Sequence, residues 1–156
     1  MNADLRALPF RASSFDLIIN LWTSFGFFDD DDNQQVLRQW AQVLRSGGRI
    51  LLHSDLNPRR VKQGIFDEPS VRDLTNSRTL TVIERYCQED GRVYGTWRVG
   101  DMTHSYKLLL YDEERLAEMA TMAGFDVVGF WGSLDEPFLE LTDRSQEFIT
   151  VLRKRD

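Results

Sequence analysis

Residues 1–22 read MNADLRALPFRASSFDLIINLW. Within them Phe15 to Leu21, FDLIINL, is a short and nearly continuous apolar run. Such a run suits a strand buried on both faces of a parallel sheet. The residues that follow test that reading. Asp29 to Arg45, DDDDNQQVLRQWAQVLR, places Val36, Leu37, Trp40, Val43 and Leu44 on one helical stripe. Its aspartates stand where negative charge meets the positive end of the helix dipole. Ser46-Gly47-Gly48 is expected to stop the helix, because glycine takes the left-handed conformation that helix ends favour. Arg49 to His53, RILLH, is the next buried strand. Strand, helix and strand at this spacing make one parallel crossover unit.

Beyond residue 78 the pattern changes. Residues 79–87, 92–99 and 103–111 are β-rich, separated by Asp90-Gly91 and Gly100-Asp101. Both pairs are turn signals. In the middle run Val93, Trp97 and Val99 alternate with Arg92, Tyr94, Thr96 and Arg98, the period of a half-exposed antiparallel strand. The sequence predicts a three-stranded meander inserted into an α/β frame. Residues 56–78 are expected to be irregular, with a short helix near 69–74. Helical period returns in DEERLAEMATMA, Asp112 to Ala123, and Gly124 is a natural stop. Strands are expected at 125–131 and 148–153, joined without a helix and so able to pair as an antiparallel hairpin.

Composition narrows the function classes. The chain has 156 residues, 42% hydrophobic and 28% charged. A domain of this size buries roughly two thirds of the surface its unfolded chain exposes. Nineteen basic and twenty-five acidic residues give a net charge of −6, which argues against nucleic acid as a partner. Cys87 is the single cysteine, so no internal disulfide can form. With no signal-like apolar start, a cytoplasmic setting is expected. No apolar run approaches the about eighteen residues of a membrane span. Asp29 to Asp32 reads as a solvated helix cap and not a metal site, and no other ligand spacing supports a metal.

Four stretches together resemble a known family. Asp4-Leu5-Arg6-Ala7-Leu8-Pro9-Phe10, Ser14-Phe15-Asp16-Leu17-Ile18, Val43-Leu44-Arg45-Ser46-Gly47-Gly48-Arg49 and Ala123-Gly124-Phe125 occur in the order and spacing of a class I S-adenosylmethionine-dependent methyltransferase of the small-molecule type. Ser46 stands where that pattern usually has proline. The resemblance implies an α/β Rossmann-like sheet in the order 3-2-1-4-5-7-6, of which this chain carries strands four to seven plus the inserted meander. It covers nearly the whole chain as a single methyltransferase-like domain. The glycine-rich turn after strand one and the acidic residue closing strand two have no counterpart here, so the chain reads like the second half of an enzyme.

The resemblance implies S-adenosylmethionine as cofactor and a small-molecule acceptor. Asp4 would accept from the adenine amino group and the Leu5 backbone N–H would meet the ring; otherwise Asp4 is a turn residue. Asn20, Leu21 and Trp22 leave strand four at its carboxyl end, where open α/β sheets bind ligands; Leu21 and Trp22 are equally readable as core. The loop Thr23-Ser24-Phe25-Gly26-Phe27-Phe28 is dense in rings. Thr23, Phe25 and Phe28 either wall a pocket or plug the core beneath the helix. His53 ends strand five near the expected mouth and is the candidate general base, or else a structural histidine. The meander is expected to roof the acceptor pocket, making Tyr86, Trp97, His104, Tyr106 and Trp131 candidate substrate contacts that packing would equally explain.

Two readings of the start of the chain are expected. In one, upstream residues complete an ordinary enzyme. In the other, FDLIINL becomes an unprotected sheet edge, covered by two-fold pairing in a homodimer, and the domain is a noncatalytic module binding a small ligand or a protein. A nicotinamide-dependent oxidoreductase fits less well, because the L-P-F and S-F-D pieces do not suit it.

Overall fold

A computed structural model describes residues 3–64, 70–74, 78–135 and 139–156. The crossover unit forms as the pattern requires. Strand β1 (Phe15–Asn20), helix α1 (Asp30–Val43) and strand β2 (Leu44–Ser54) follow one another, and β1 pairs with β2 in parallel. Val36, Leu37, Trp40, Val43 and Leu44 are all buried. Burial of each such side chain is worth about 1.5–3 kcal/mol relative to exposure. The core they build includes Ile50 and Leu52 of β2, Leu116 and Met119 of helix α3 (Glu113–Met122), Phe125 of strand β7 (Phe125–Trp131) and Leu152 of strand β8 (Phe148–Lys154).

The first sheet has the order β1-β2-β8-β7. β8 lies antiparallel between β2 and β7, so the expected terminal hairpin is present. This order agrees with the arrangement expected for the end of such a sheet. Asp112 caps α3, its carboxylate accepting from Arg115 N at 2.9 Å. Gly124 follows the helix with a φ of 88°, the left-handed stop that glycine supplies at least cost.

The second sheet is larger than expected. Strands β3 (Ser70–Leu74), β4 (Arg78–Cys87), β5 (Arg92–Val99) and β6 (Met102–Leu109) form a four-stranded antiparallel sheet in chain order. Residues 70–74, expected within a short helix, are a strand instead; Pro69 lies outside the described residues. The segment SVRDL carries no apolar alternation, and its backbone is satisfied by pairing with β4 from Ser70↔Val82 to Leu74↔Arg78. Helix α2 (Pro58–Lys62) was also not expected. Asn57 caps it, accepting from Arg59 N at 3.0 Å, and Val61 joins Val93 and Leu108 in a second small core beneath this sheet.

Three further expectations need correction. Ser46-Gly47-Gly48 does not end α1, which stops at Val43. The triplet lies inside β2, in a bulge where Phe15↔Leu44 is followed by Leu17↔Arg49, and the φ of 72° at Gly47 serves that excursion. The aspartate run is not merely solvated. Asp29 pairs with Arg92 of β5 at 2.6 Å, Asp30 with Arg115 of α3 at 2.6 Å and Asp32 with Arg6 at 2.7 Å. Each exposed pair is worth about 0–1 kcal/mol, but together they tie three separate segments to the start of α1. Buried Asn33 adds hydrogen bonds to Phe28 O and to the Tyr111 hydroxyl, each 2.9 Å.

Nor is β1 buried on both faces. Ile18 packs on the core, whereas Leu17 and Ile19 are 52% and 58% exposed. Among the described residues β1 has a partner on one side only. The apolar run is therefore half used: one face meets α1 and its neighbours, the other faces outward. Replacing Leu17 and Ile19 together by lysine should leave urea stability within about 0.5 kcal/mol, as for surface positions. The same variant should lower any self-association seen by analytical ultracentrifugation. A loss of several kcal/mol would show that this face is packed within the chain.

Candidate functional site

The site forms where β1 and β2 end. After Asn20 the chain turns through Trp22 and Thr23 with φ of 53° and 54°. Left-handed backbone at non-glycine residues costs of order 1–3 kcal/mol each and persists only where the surroundings fix it. Here the end of β2 does so. Trp22 N donates to His53 Nδ1 at 3.1 Å and Thr23 N donates to His53 O at 3.1 Å. The Thr23 hydroxyl donates to Asp55 Oδ1 at 3.0 Å and in turn accepts from Asp55 N at 3.1 Å. Strain at the exit of one strand is thus held by backbone and side-chain bonds from the next.

This assigns His53 a definite geometry. With Nδ1 accepting, its proton sits on Nε2, which is buried and faces Glu147 Oε1 at 3.5 Å. The imidazole holds the exit loop. It does not line the large cavity described next.

The four-stranded sheet covers this loop and leaves a cavity of about 520 Å³. Its attachment rests on glycine. Leu109 N donates to Gly26 O at 2.8 Å, and a Cβ on Gly26 would lie 2.4 Å from Leu109 O. A second glycine shapes the interior. A Cβ on Gly95 would fall 2.1 Å from the Tyr106 ring. The ring therefore lies across β5, and its hydroxyl donates to Glu84 on β4. Burial, followed by that hydrogen bond, pushes the Tyr106 hydroxyl well above its ordinary range. Trp97 and His104 meet at the next register position, ring centroids 4.9 Å apart and planes tilted by 51°.

Of the residues proposed from sequence as substrate contacts, Thr23, Trp97, His104 and Tyr106 are brought together around the cavity. Phe25 instead fills the core between Trp40 and Tyr111, with centroids 5.7 and 5.6 Å away. Phe28 lies beneath the Arg6 guanidinium at 4.6 Å. Trp131 pairs with Ile149 and covers Gly129. Tyr86 packs on the small second core. Among the cofactor candidates, Trp22 is 72% exposed and lines the cavity. Among the described residues Asn20 Oδ1 is buried without a partner, and Leu5 packs on the main core.

Sequence reasoning missed Asp55 and Glu84 on the cavity wall and held Phe27 only as one ring of the Thr23–Phe28 loop. Glu84 carried a signal. It interrupts the same-face row Leu80, Val82, Tyr86 on β4, and a carboxylate on an otherwise apolar row asks for a partner.

Beside the start of α1, Asp4 accepts from Arg6 N, Nε and Nη2 at 2.9, 3.0 and 2.7 Å. These bonds lower the Asp4 carboxyl from 3.8 to about 2. The guanidinium also reaches Asp32 at 2.7 Å, so Arg6 holds the N-terminal loop against the start of α1.

These observations describe an α/β sheet whose strand ends meet a cavity roofed by an inserted antiparallel sheet. A family model for a methyltransferase domain matches residues 1–48. The CcbJ methyltransferase from Streptomyces caelestis superimposes with a TM-score of 0.77 at 15% identity, covering 99% of this chain and 62% of that one. An S-adenosylmethionine-dependent methyltransferase from Clostridium acetobutylicum gives 0.77 at 14% identity, covering 99% and 63%. This is the fold of the class I S-adenosylmethionine-dependent methyltransferases. CalS10, a SAM-bound amino pentose methyltransferase from Micromonospora echinaspora, shares the methyltransferase fold with a TM-score of 0.62 at 18% identity, covering 97% and 63%. The chain spans less than two thirds of the length of each of these structures. No curated protein sequence matches it.

Two measurements check the geometry. A carboxyl NMR titration should place the Asp4 midpoint near pH 2, and Arg6→Ala should return it towards 3.8. The sign follows from the lowered value. The stabilisation from this clamp is fully present above the ordinary carboxyl range and is lost as pH falls through about 2. Separately, Gly95→Ala should displace Tyr106 and cost about 1–3 kcal/mol in urea denaturation, as overpacking does. An unperturbed Gly95→Ala variant would show that the ring does not cross β5.

Proposed function

We propose that this chain supplies the acceptor pocket and the adenine-side wall of an S-adenosylmethionine-dependent methyltransferase acting on a small molecule. The observation that carries the proposal is the roofed cavity of about 520 Å³ at the carboxyl ends of β1 and β2, a volume suited to a small ligand. Open α/β sheets bind ligands at that edge.

The residues present fit the adenosine side of the donor. Asn20 offers a buried acceptor without a partner, Trp22 an exposed indole at the same edge, and Asp4 a carboxylate fixed in place by Arg6. When bound, S-adenosylmethionine supplies an electrophilic methyl group. The chain's own contribution is placement. Holding nucleophile and methyl carbon in line supplies most of the rate effect in such a transfer. The strained Trp22-Thr23 turn fixes one wall of the cavity, and Tyr106 and Trp97 fix the other. Asp55, beside the Thr23 hydroxyl, is placed to take a proton where the acceptor must lose one. The noncatalytic alternative is not favoured, because the chain keeps a formed cavity at the edge where this fold does its chemistry.

Calorimetry with S-adenosylhomocysteine is the direct test. Heat of binding is expected at millimolar ligand, and Trp22→Ala should weaken it by about threefold to fivefold, the worth of one exposed ring contact. Absence of heat would mean that this chain does not form a donor site by itself.

A further inference from the structure

The cavity is electrically lopsided. Asp55 lies at its β2 side, and Glu84 projects from the roof with its carboxylate on the Tyr106 hydroxyl. Among the described residues neither carboxylate is paired with a cation. Each keeps hydrogen bonds only from neutral groups: Thr23 to Asp55, and Tyr106 to Glu84. Asp55 is exposed and Glu84 half-buried, so both stay hydrated and ionised, and together they give this end of the cavity a negative potential that favours a cationic ligand.

Register shows that the cavity's arginine on the roof does not cancel this charge. Cross-strand partners and alternate residues share a face of a sheet. One row of the roof is Glu84, Gly95 and Tyr106, the next is Ser70, Val82, Trp97 and His104, and the next holds Arg72 opposite Leu80. Four residues along β4 separate the Glu84 and Arg72 rows, about 13 Å of strand. That is well beyond ion-pair contact, so Arg72 does not pair with Glu84. The end nearest the β1 exit is thus anionic and the far end cationic. Arg60, also at the wall, donates to Gln146.

Rings complete the anionic end. Phe27 and Tyr106 lie with centroids 6.1 Å apart, and Trp22 and Trp97 also face the cavity. Aromatic faces attract cations. Two unpaired carboxylates among four rings match an ammonium group better than an alcohol or an acid.

We propose that the acceptor of this site is an amine, bound as its ammonium ion between Asp55 and the Glu84–Tyr106 pair. The inference rests on the methyl-transfer reading for the word acceptor, while the ammonium site stands on its own residues. Asp55 accepts a proton from the bound ammonium and passes it to solvent. The neutral nitrogen then uses its lone pair to form the new N–C bond to the donor methyl. The carbon–sulfur bond breaks with its electrons remaining on sulfur, which becomes a neutral thioether, and the product leaves as the N-methyl ammonium ion.

The test uses matched probes of one shape: benzylammonium, benzyl alcohol and benzoate, titrated separately against the chain at neutral pH by saturation-transfer NMR. Benzylammonium should bind about tenfold more tightly than benzyl alcohol, the worth of one charge-assisted contact. Asp55→Asn and Glu84→Gln, made singly, should each remove most of that preference and leave benzyl alcohol unchanged. Both variants keep their hydrogen-bonding shape, and a native circular dichroism spectrum confirms that each is folded. Equal or tighter binding of benzyl alcohol or benzoate overturns the proposal. So does benzylammonium binding that neither substitution weakens, or no binding at millimolar probe. No donor is present, so failure here leaves the methyl-transfer reading standing, and failure of donor binding leaves this result standing.

Discussion

The contact between Gly26 and Leu109 decides what this fold can do. A carbonyl oxygen and a backbone α-carbon meet there at a distance no side chain would allow, and a hydrogen bond in the opposite sense closes the contact. It joins the loop leaving β1 to the last strand of the inserted sheet. Without that joint the insert would be a ribbon tethered at its two ends. With it, the insert becomes a roof held over the carboxyl ends of β1 and β2. The Asp29–Arg92 pair reinforces the attachment, but the backbone contact sets its distance.

Two kinds of constraint then divide the molecule. The frame is held by apolar packing: α1 and α3 bury their stripes against β2, β7 and β8, and the sheet order follows from those faces. The site is held by polar geometry. His53 accepts from Trp22 N, Thr23 is bound to Asp55 and Ser54, and Tyr106 reaches Glu84 across a glycine. Packing tolerates substitution of similar volume. Hydrogen-bond geometry does not, so the residues around the cavity should be the ones where small changes alter function without unfolding the chain.

The two carboxylates of the cavity illustrate the difference. Elsewhere acidic residues meet arginines: Asp4 and Asp32 meet Arg6, Asp30 meets Arg115, and Asp126 meets Arg153 and Arg155. Among the described residues Asp55 and Glu84 do not. Their nearest companions are neutral hydroxyls and rings. The acidic character they give one end of the cavity is the feature on which the proposed amine preference rests.

The sequence by itself determined the frame. The stripe from Val36 to Leu44, the apolar run at Ile50 and Leu52, and the stop at Gly124 each record a local rule of period or backbone freedom, and such rules need no knowledge of distant neighbours. Alternation along β5 and β6 also put Trp97 opposite His104, a local fact of one hairpin, whereas bringing that face over Thr23 took the joint at Gly26. Tertiary structure decided the rest. Ser70–Leu74 became a strand because β4 offered it hydrogen bonds, not because its residues favour one. Phe25 and Phe28 went to the core and Phe27 to the cavity, although the three belong to one short loop, because the joint at Gly26 turns the chain between them. Leu17 and Ile19 read as buried yet face outward, since a strand's burial depends on what lies beside it, and the strand's own residues do not encode that.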